Sequence, residues 1–230
     1  MAAPNRGLGT RWASFFDKAA RDRGDSEAAN AYLTVGNFRF VRDNVLAWLG
    51  PVKGASVLDV GCGTGHFTLP LAGVNFVAGL DLSAGMLGLA GRKGLSPVRA
   101  SAERLPFPDG AFALVLANNI IQLMPDGPAF VRELVRVAKP GGRVVVTTIN
   151  GENGLVPVLK VLEPRKYRDF LVYSARGVTA AFEAAGGRLS STLFVFYPFG
   201  AVRVVPAGRT PSPFCRRTAT SVAVQAVKVR

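Results

Sequence analysis

The sequence predicts an α/β fold built on a mainly parallel, doubly wound sheet. Two observations support this prediction. Short apolar strand signals alternate with helix signals between residues 56 and 149, and a glycine-rich turn joins the first of these strands to the helix after it. The chain has 230 residues, of which 49% are hydrophobic and 19% are charged. This size and composition fit one globular domain over residues 1–230.

Helices are expected first, and strands and helices then alternate along the chain. Two N-terminal helices are predicted at residues 10–23 and 38–49. Five strands follow, at residues 56–60, 75–80, 96–100, 112–117 and 143–149. A helix is expected at 65–72, Ser83 is a candidate N-cap for the next one, and residues 128–138 carry an apolar helix face.

The C-terminal third is less regular. Residues 151–172 are basic and interrupted by proline and glycine, which indicates an insertion over the carboxyl edge of the sheet. Ser174 is a candidate N-cap of a helix that continues to Ala185. Two closing strands are predicted at residues 189–197 and 221–229, with a proline-rich loop between them. They bring the predicted sheet to seven strands.

Composition restricts the class of protein. No run approaches the roughly 18 uninterrupted apolar residues of a membrane helix, and the N-terminal sequence lacks the apolar region of a secretory signal. Cys62 and Cys215 have no pairing or metal-ligand spacing, and His66 is the sole histidine. We therefore expect no disulfide and no metal site. These features favour a cytoplasmic protein without a transmembrane segment.

The formal net charge of +13 raises the question of an anionic partner. Nucleic acid, an anionic membrane surface and an acidic substrate are all compatible with it. The basic residues are scattered and do not alternate with aromatic side chains, so we favour a general compositional bias over a nucleic-acid surface. One asymmetry remains, because Glu183 is the last acidic residue and seven basic residues follow it between Arg188 and Arg230.

The most specific chemistry lies in the segment VLDVGCGTG, residues 57–65. A strand, a glycine turn and a helix place backbone N–H groups close to a ligand. The segment does not fit a dinucleotide fingerprint, because His66 stands at the sixth position from Gly61, and no Gly-Lys-Ser/Thr of a P-loop follows. Asp59 would repel a phosphate and attract an ammonium group. The turn therefore suits a ligand with an amino-acid end.

A second carboxylate stands at the end of the next strand. Asp81 follows Gly61 by twenty residues, and a carboxylate there can accept hydrogen bonds from both hydroxyls of a ribose. An ammonium site at Asp59 and a ribose site at Asp81 together describe S-adenosylmethionine.

Five segments resemble, in order, the class I S-adenosylmethionine-dependent methyltransferases. They are VLDVGCGTG, GLDLS, SAERLPFPDGAF, LVLANNIIQLMPD and ELVRVAKPGGRVVV. The likeness covers residues 57–149 well and 174–187 loosely, and it is nearest to the ubiquinone/menaquinone-biosynthesis C-methyltransferase-like branch. It implies a Rossmann-like sheet with an antiparallel last strand. It also implies a helical lid at 1–50, a cofactor-binding core at 51–150, and a substrate-side insertion with closing strands at 151–230.

The resemblance further implies which residues hold the cofactor. The methionine part would lie against Asp59, Gly61, Cys62, Gly63 and Gly65 and be closed by Asn118 and Asn119, the ribose would lie on Asp81, and the adenine would lie against Leu82, Met86, Ala102 and Glu103.

The chain departs from the family's pattern near the predicted site. Ser101 and Ala113 stand where the family often has aspartate, and Gln122-Leu123 stands where it often has one or two histidines. For this reason no catalytic base is assigned. Four residues are candidates for a catalytic role, although packing alone would also explain them: His66, Tyr32, Tyr173 and Gln122.

The expected function is transfer of a methyl group to carbon or oxygen of a small-molecule acceptor that is phenolic, quinone-like or polyketide-like. The basic C-terminal third motivates RNA or protein methylation as an alternative, although Asn118-Asn119-Ile120-Ile121 replaces the Asn-Pro-Pro-Tyr type of tetrapeptide. A cofactor-binding module without catalysis is a second alternative. Peripheral membrane contact and the choice between monomer and homodimer stay open.

Overall fold

An eight-stranded sheet lies at the centre of the protein. The computed structural model describes residues 8–30, 34–162, 170–197 and 199–230. Its strands are β1 (Ser56–Val60), β2 (Phe76–Asp81), β3 (Ser96–Arg99), β4 (Phe112–Asn118), β5 (Ala138–Ile149), β6 (Gly187–Phe196), β7 (Ala201–Pro206) and β8 (Ser221–Lys228). They are hydrogen-bonded in the order β3-β2-β1-β4-β5-β8-β6-β7.

Helices connect the strands. The α-helices are α1 (Leu8–Arg23), α2 (Val35–Leu49), α3 (Leu69–Ala72), α4 (Ala84–Gly91), α5 (Gly127–Val137), α6 (Val156–Leu162), α7 (Ala175–Ala184) and α8 (Pro213–Thr218), and short 3-10 helices span Glu27–Ala29 and Ile121–Leu123. None of the helices in the described ranges is long and apolar enough to cross a membrane.

The direction of the strands decides which residues meet. Strands β3, β2, β1, β4 and β5 are parallel to their neighbours, and β8 is antiparallel to both β5 and β6. The parallel part and the antiparallel last strand confirm the predicted fold class. Because β6 runs in the same direction as β1, the carboxyl ends of β1, β2, β4, β5 and β6 lie at one edge of the sheet.

Both faces of the sheet are covered, as a doubly wound fold requires. Successive residues of a strand point to opposite faces, so Leu58 packs with Phe130 of α5 and Phe182 of α7, whereas Val57 packs with Val45 of α2 and Leu87 of α4. This alternation explains why β1 has the near-continuous apolar sequence of a strand buried on both sides.

Local capping follows the sequence. The Ser83 side chain accepts a hydrogen bond from the Met86 backbone at the start of α4, and Ser174 accepts one from Gly177 at the start of α7. Gly50 ends α2 in a left-handed conformation with φ of 69°. Each of these three boundaries agrees with the prediction.

The count of seven strands is wrong, because β7 forms where a proline-rich loop is expected. β7 pairs antiparallel with β6 at the edge of the sheet, and Pro206 is its last residue, where a missing N–H costs no inner ladder bond. Two short helices, α6 and α8, also lie in segments predicted as irregular, and the first helix after the glycine turn begins at Leu69 instead of Gly65.

Candidate functional site

A cleft opens at the carboxyl edge of the sheet, next to the ends of β1, β2 and β4. It encloses about 970 Å³ including its open mouth. Strand ends and the loops after them supply one wall, which includes Asp59, Gly61, Cys62, Gly63, Leu80, Asp81, Leu82, Ala100, Ser101, Ala102, Glu103, Asn118, Asn119, Ile120, Leu123 and Met124. The N-terminal segment, α2 and the loop before α3 supply the other, with Gly9, Trp12, Ala13, Phe16, Asn30, Phe38 and Phe67.

The glycine turn after β1 has room for glycine alone. Gly61 and Gly63 have φ of 71° and 54°. A Cβ atom on Gly61 would lie 2.4 Å from Ile120 Cδ1, and one on Gly63 would lie 2.1 Å from Asn30 Oδ1. Both the left-handed backbone and the close approach of these side chains therefore require glycine.

The N–H groups of this turn are already paired within the protein. Gly61 and Cys62 donate to the Leu80 carbonyl at 2.7 and 3.0 Å, and Gly63 donates to Asp81 Oδ2 at 2.9 Å. Thr64 donates to Asn30 Oδ1 at 2.9 Å. These four amides are not available to a phosphate, which distinguishes the turn from a phosphate-binding loop.

Asp59 is a buried carboxylate beside the turn. The Thr68 hydroxyl donates to Asp59 Oδ2 at 2.7 Å. Burial, and to a lesser extent the nearby Asp81 carboxylate, raise the pKa of Asp59 to about 7 against the opposing effect of the Thr68 hydrogen bond. Among the described residues no basic side chain pairs with Asp59. A cationic group of a ligand could supply the missing charge.

Asp81 is held rigidly at the end of β2. Its two oxygens accept hydrogen bonds from the backbone N–H groups of Gly63 and Ser83, each at 2.9 Å. Burial raises the pKa of Asp81, and the backbone hydrogen bonds oppose this rise. The carboxylate borders the cleft and keeps lone pairs free for hydroxyl donors.

Two residues of the predicted set lie outside the cleft lining. Met86 is fully buried and packs with Ala20 and Ala29. A Cβ atom on Gly65 would lie near Leu95 and Ala90, so Gly65 serves the packing of helix against sheet. The other ten residues of the set line the cleft. Whether they contact the cofactor stays a prediction.

Asn119 combines an unusual backbone conformation with an unpaired, buried side-chain oxygen. It has φ of 52° and is the one non-glycine residue of the described chain with positive φ. Its backbone N–H donates to the Thr147 carbonyl at 3.1 Å, while its side-chain Oδ1 is enclosed without a partner. An unpaired buried acceptor costs about 1–3 kcal/mol.

The catalytic candidates do not meet at the cleft. His66 Nε2 lies 3.0 Å from Asp25 Oδ1, and Tyr173 packs at the start of α5 against Gly127. Gln122 is buried, and its Oε1 accepts a hydrogen bond from the Thr148 hydroxyl at 3.0 Å. Tyr32 lies outside the described residues. None of the three described candidates lines the cleft.

Cys62 borders the cleft but is a poor nucleophile. Burial raises the pKa of its thiol well above the ordinary value, and the charges of Asp59 and Asp81 add to this effect. The thiolate is therefore scarce at neutral pH.

The sequence predicts a helical lid at residues 1–50 but not which of its residues line the cleft. Gly9, Trp12, Ala13 and Phe16 lie on one face of α1. Their helical spacing can be recognised in the sequence, but it does not indicate which surface this face covers. The indole Nε1 of Trp12 is buried and has no hydrogen-bond partner in the described part of the chain. The ring packs against Phe170 and Leu123 in a small apolar cluster.

Polar contacts fasten the N-terminal segment over the cleft. Asp17 of α1 accepts hydrogen bonds from the Ser83 hydroxyl and from the Gly85 backbone, and these bonds lower its pKa. Asp25 pairs with Lys93 and His66. Asn30 bonds Thr64 within the glycine turn.

Comparisons with known proteins identify the family of the chain. Residues 58–146 match the family model described as a methyltransferase domain. A demethylmenaquinone methyltransferase of Mycolicibacterium gilvum is 32% identical over 171 residues, which is 74% of this chain and 71% of that one. The chain belongs to the class I S-adenosylmethionine-dependent methyltransferases. Within them it resembles the quinone-biosynthesis branch.

Other relatives match over part of their length or share only the fold. The demethylmenaquinone methyltransferase of Bacillus licheniformis is 34% identical over 125 residues, 50% of this chain and 54% of that protein. The chain thus spans about half the length of the first curated relatives that it matches. A SAM-dependent methyltransferase from Thermotoga maritima shares the fold with a TM-score of 0.72 at 18% identity, over 94% of this chain and 98% of that one.

Proposed function

We propose that this methyltransferase-family chain transfers a methyl group from S-adenosylmethionine to carbon or oxygen of a small-molecule acceptor that is phenolic, quinone-like or polyketide-like. The observation that carries the proposal is the pair of carboxylates at the ends of neighbouring strands. Asp59 and Asp81 both border the cleft, and the turn between them has no free amide for a phosphate.

The residues present fit the cofactor. The ammonium of its methionine part would pair with Asp59, whose charge is otherwise uncompensated, and the two ribose hydroxyls would donate to Asp81. Asn119 borders the same cleft. Leu82, Ala102 and Glu103 would hold the adenine. Bound S-adenosylmethionine supplies a methyl group that its sulfonium has already activated.

The chain's own task is then to position the acceptor and exclude water. Trp12, Phe16, Leu123 and Met124 form an apolar region of the cleft. Such a surface favours a ring or an apolar chain over a charged substrate. Asp17, Asp25 and Asn30 would hold the N-terminal segment closed as a lid over both ligands.

The lining indicates which acceptors can react. Among the described residues the lining includes no His, Lys or Tyr, and its carboxylates, Asp59, Asp81 and Glu103, are assigned to the cofactor, which leaves no base for the acceptor. This arrangement favours an electron-rich ring carbon or an acidic hydroxyl, because such a nucleophile needs little help to lose its proton.

A transfer assay with methyl-labelled S-adenosylmethionine tests the proposal. The acceptor panel should contain 1-naphthol, catechol, a hydroquinone and a β-ketoacyl thioester, with bulk RNA and a protein mixture as competing classes. We expect label in at least one small molecule and its loss in Asp81→Ala, with the exposed Asp43→Ala as matched control. Label in RNA or protein alone would favour that alternative. Cofactor binding without any transfer would favour a non-catalytic module.

A further inference from the structure

Five large apolar side chains are exposed at the carboxyl edge of the sheet, beyond β5 and β6. We call this the carboxyl-edge patch; it consists of Leu155, Val158, Val161, Phe199 and Phe214. These residues are between 48% and 83% exposed. Exposed apolar residues are ordinary when they are scattered, but a contiguous group marks a contact surface.

Hydrogen bonds and ring packing connect the segments that carry the patch. Phe214 of α8 stacks on Phe196, the last residue of β6, with ring centroids 6.0 Å apart, and Phe199 follows in the β6–β7 turn. The amide of Asn153 donates to the Thr218 and Ala219 carbonyls at 3.2 and 2.9 Å. The start of α6 is thereby fixed against the end of α8.

Cationic side chains lie on the elements that carry the patch or are next to it. Arg176, Arg203 and Arg217 are exposed, and Arg216 is half-buried. Glu152 is an acidic residue beside two of them, 4.0 Å from Arg176 and 3.8 Å from Arg216. No acidic residue follows Glu183 in the sequence. The surface therefore combines apolar side chains with an excess of positive charge.

We propose that the carboxyl-edge patch docks the protein on an anionic lipid bilayer. Apolar side chains enter the boundary between headgroups and acyl chains, while arginines contact the anionic headgroups. A second copy of this chain fits less well, because two surfaces of a protein with net charge +13 would repel each other. RNA fits less well because Leu155, Val158 and Val161 have no ring face on which a base could stack.

The carboxyl-edge patch lies at the same edge of the sheet as the cleft. Neighbouring strands lie about 4.8 Å apart, so the end of β6 lies roughly 14 Å from the end of β4, three strands away, at the same edge as the cleft. An acceptor dissolved in the bilayer would reach the cleft from the docked face. This last step rests on the proposed function, whereas the docking does not.

Vesicle co-sedimentation of the full chain tests the docking. Vesicles of phosphatidylcholine alone are compared with vesicles that contain about one third phosphatidylglycerol. We expect binding to the anionic vesicles that weakens with salt, and little binding to the neutral ones. The double variant Phe199→Ser/Phe214→Ser should bind at least tenfold less. Arg203→Ala/Arg217→Ala should bind about 25-fold less, from about fivefold for each arginine at an anionic surface.

The matched control is Phe76→Ser. Phe76 is 57% exposed at the start of β2, on the opposite edge of the sheet, and its substitution should leave vesicle binding within twofold. Equal binding by the control and the patch variants would overturn the proposal, as would absence of binding to anionic vesicles. A patch-dependent change in solution mass or RNA binding without vesicle binding would overturn it as well. S-adenosylhomocysteine calorimetry on each variant confirms folding and tests the proposed function separately.

Discussion

The buried carboxylate of Asp59 makes cofactor affinity depend on pH in a way that can be calculated. With a pKa of about 7, Asp59 is about nine-tenths ionised at pH 8 and about one-tenth ionised at pH 6. The ammonium of S-adenosylhomocysteine stays charged over this range and needs the ionised form. We therefore expect its affinity to fall about tenfold between pH 8 and pH 6.

Substitution by asparagine should remove both the charge and the pH dependence. A hydrogen bond to a charged group contributes about 1.5–3 kcal/mol, so Asp59→Asn should weaken S-adenosylhomocysteine at pH 8 by about tenfold to a hundredfold or more. The remaining affinity should then be constant from pH 6 to pH 8.

Isothermal titration calorimetry at pH 6, 7 and 8 measures these values. 5′-Methylthioadenosine is the matched ligand, because it keeps the adenine and ribose and lacks the ammonium. Any titration of Asp81 acts on both ligands, so the difference between them isolates Asp59. A native affinity for S-adenosylhomocysteine that does not change with pH would refute the reasoning, as would an equal change for 5′-methylthioadenosine.

Three further predictions concern stability and the two walls of the cleft. Asp59 is protonated in the folded protein up to about pH 7 but ionises near 3.8 when exposed, so the free energy of unfolding should fall by roughly 3 kcal/mol from pH 4 to pH 7; chemical denaturation should show this fall in the native protein and its loss in Asp59→Asn. Gly63→Ala should lower stability by about 1–3 kcal/mol and weaken S-adenosylhomocysteine at least tenfold, because its Cβ would meet Asn30 Oδ1 at 2.1 Å. Gly88→Ala, with nothing within 4 Å of its Cβ, should instead stabilise the protein by about 0.5–1 kcal/mol, and equal thermal unfolding of the two variants would contradict the packing argument. Trp12→Ala should leave S-adenosylhomocysteine affinity within about twofold and raise the acceptor KM about tenfold or more, because it removes an apolar ring from the wall proposed to hold the acceptor; an unchanged KM in steady-state kinetics would contradict acceptor binding at this wall.

The part of the fold that was predictable comes from short-range signals. Strands β1, β2 and β4 and the second half of β5 are apolar runs, and Ser83 and Ser174 cap helices where their side chains can accept an N–H. These features depend on residues close in sequence, so one sequence is enough to place them. β7 escaped prediction because its pairing with β6 is a tertiary contact in a segment rich in proline.

Some residues of the candidate site could likewise be predicted from the sequence, and others could not. Asp59, Asp81 and Asn118 could be placed together because the carboxyl ends of adjacent parallel strands meet at one edge. Trp12 could not, because its position at the cleft depends on how α1 lies across the sheet. The orientation of Met86 likewise follows from the packing of α4 against α1, which leaves no mark on the local pattern.

The central claim is that the cleft binds the cofactor through its two carboxylates. Its most direct test is isothermal titration calorimetry with S-adenosylhomocysteine, comparing the native protein with Asp81→Ala and with Asp43→Ala as control. We predict micromolar binding by the native protein and the control, and no detectable binding by Asp81→Ala. Absence of binding by the native protein, or equal binding by all three, would contradict this assignment of the site.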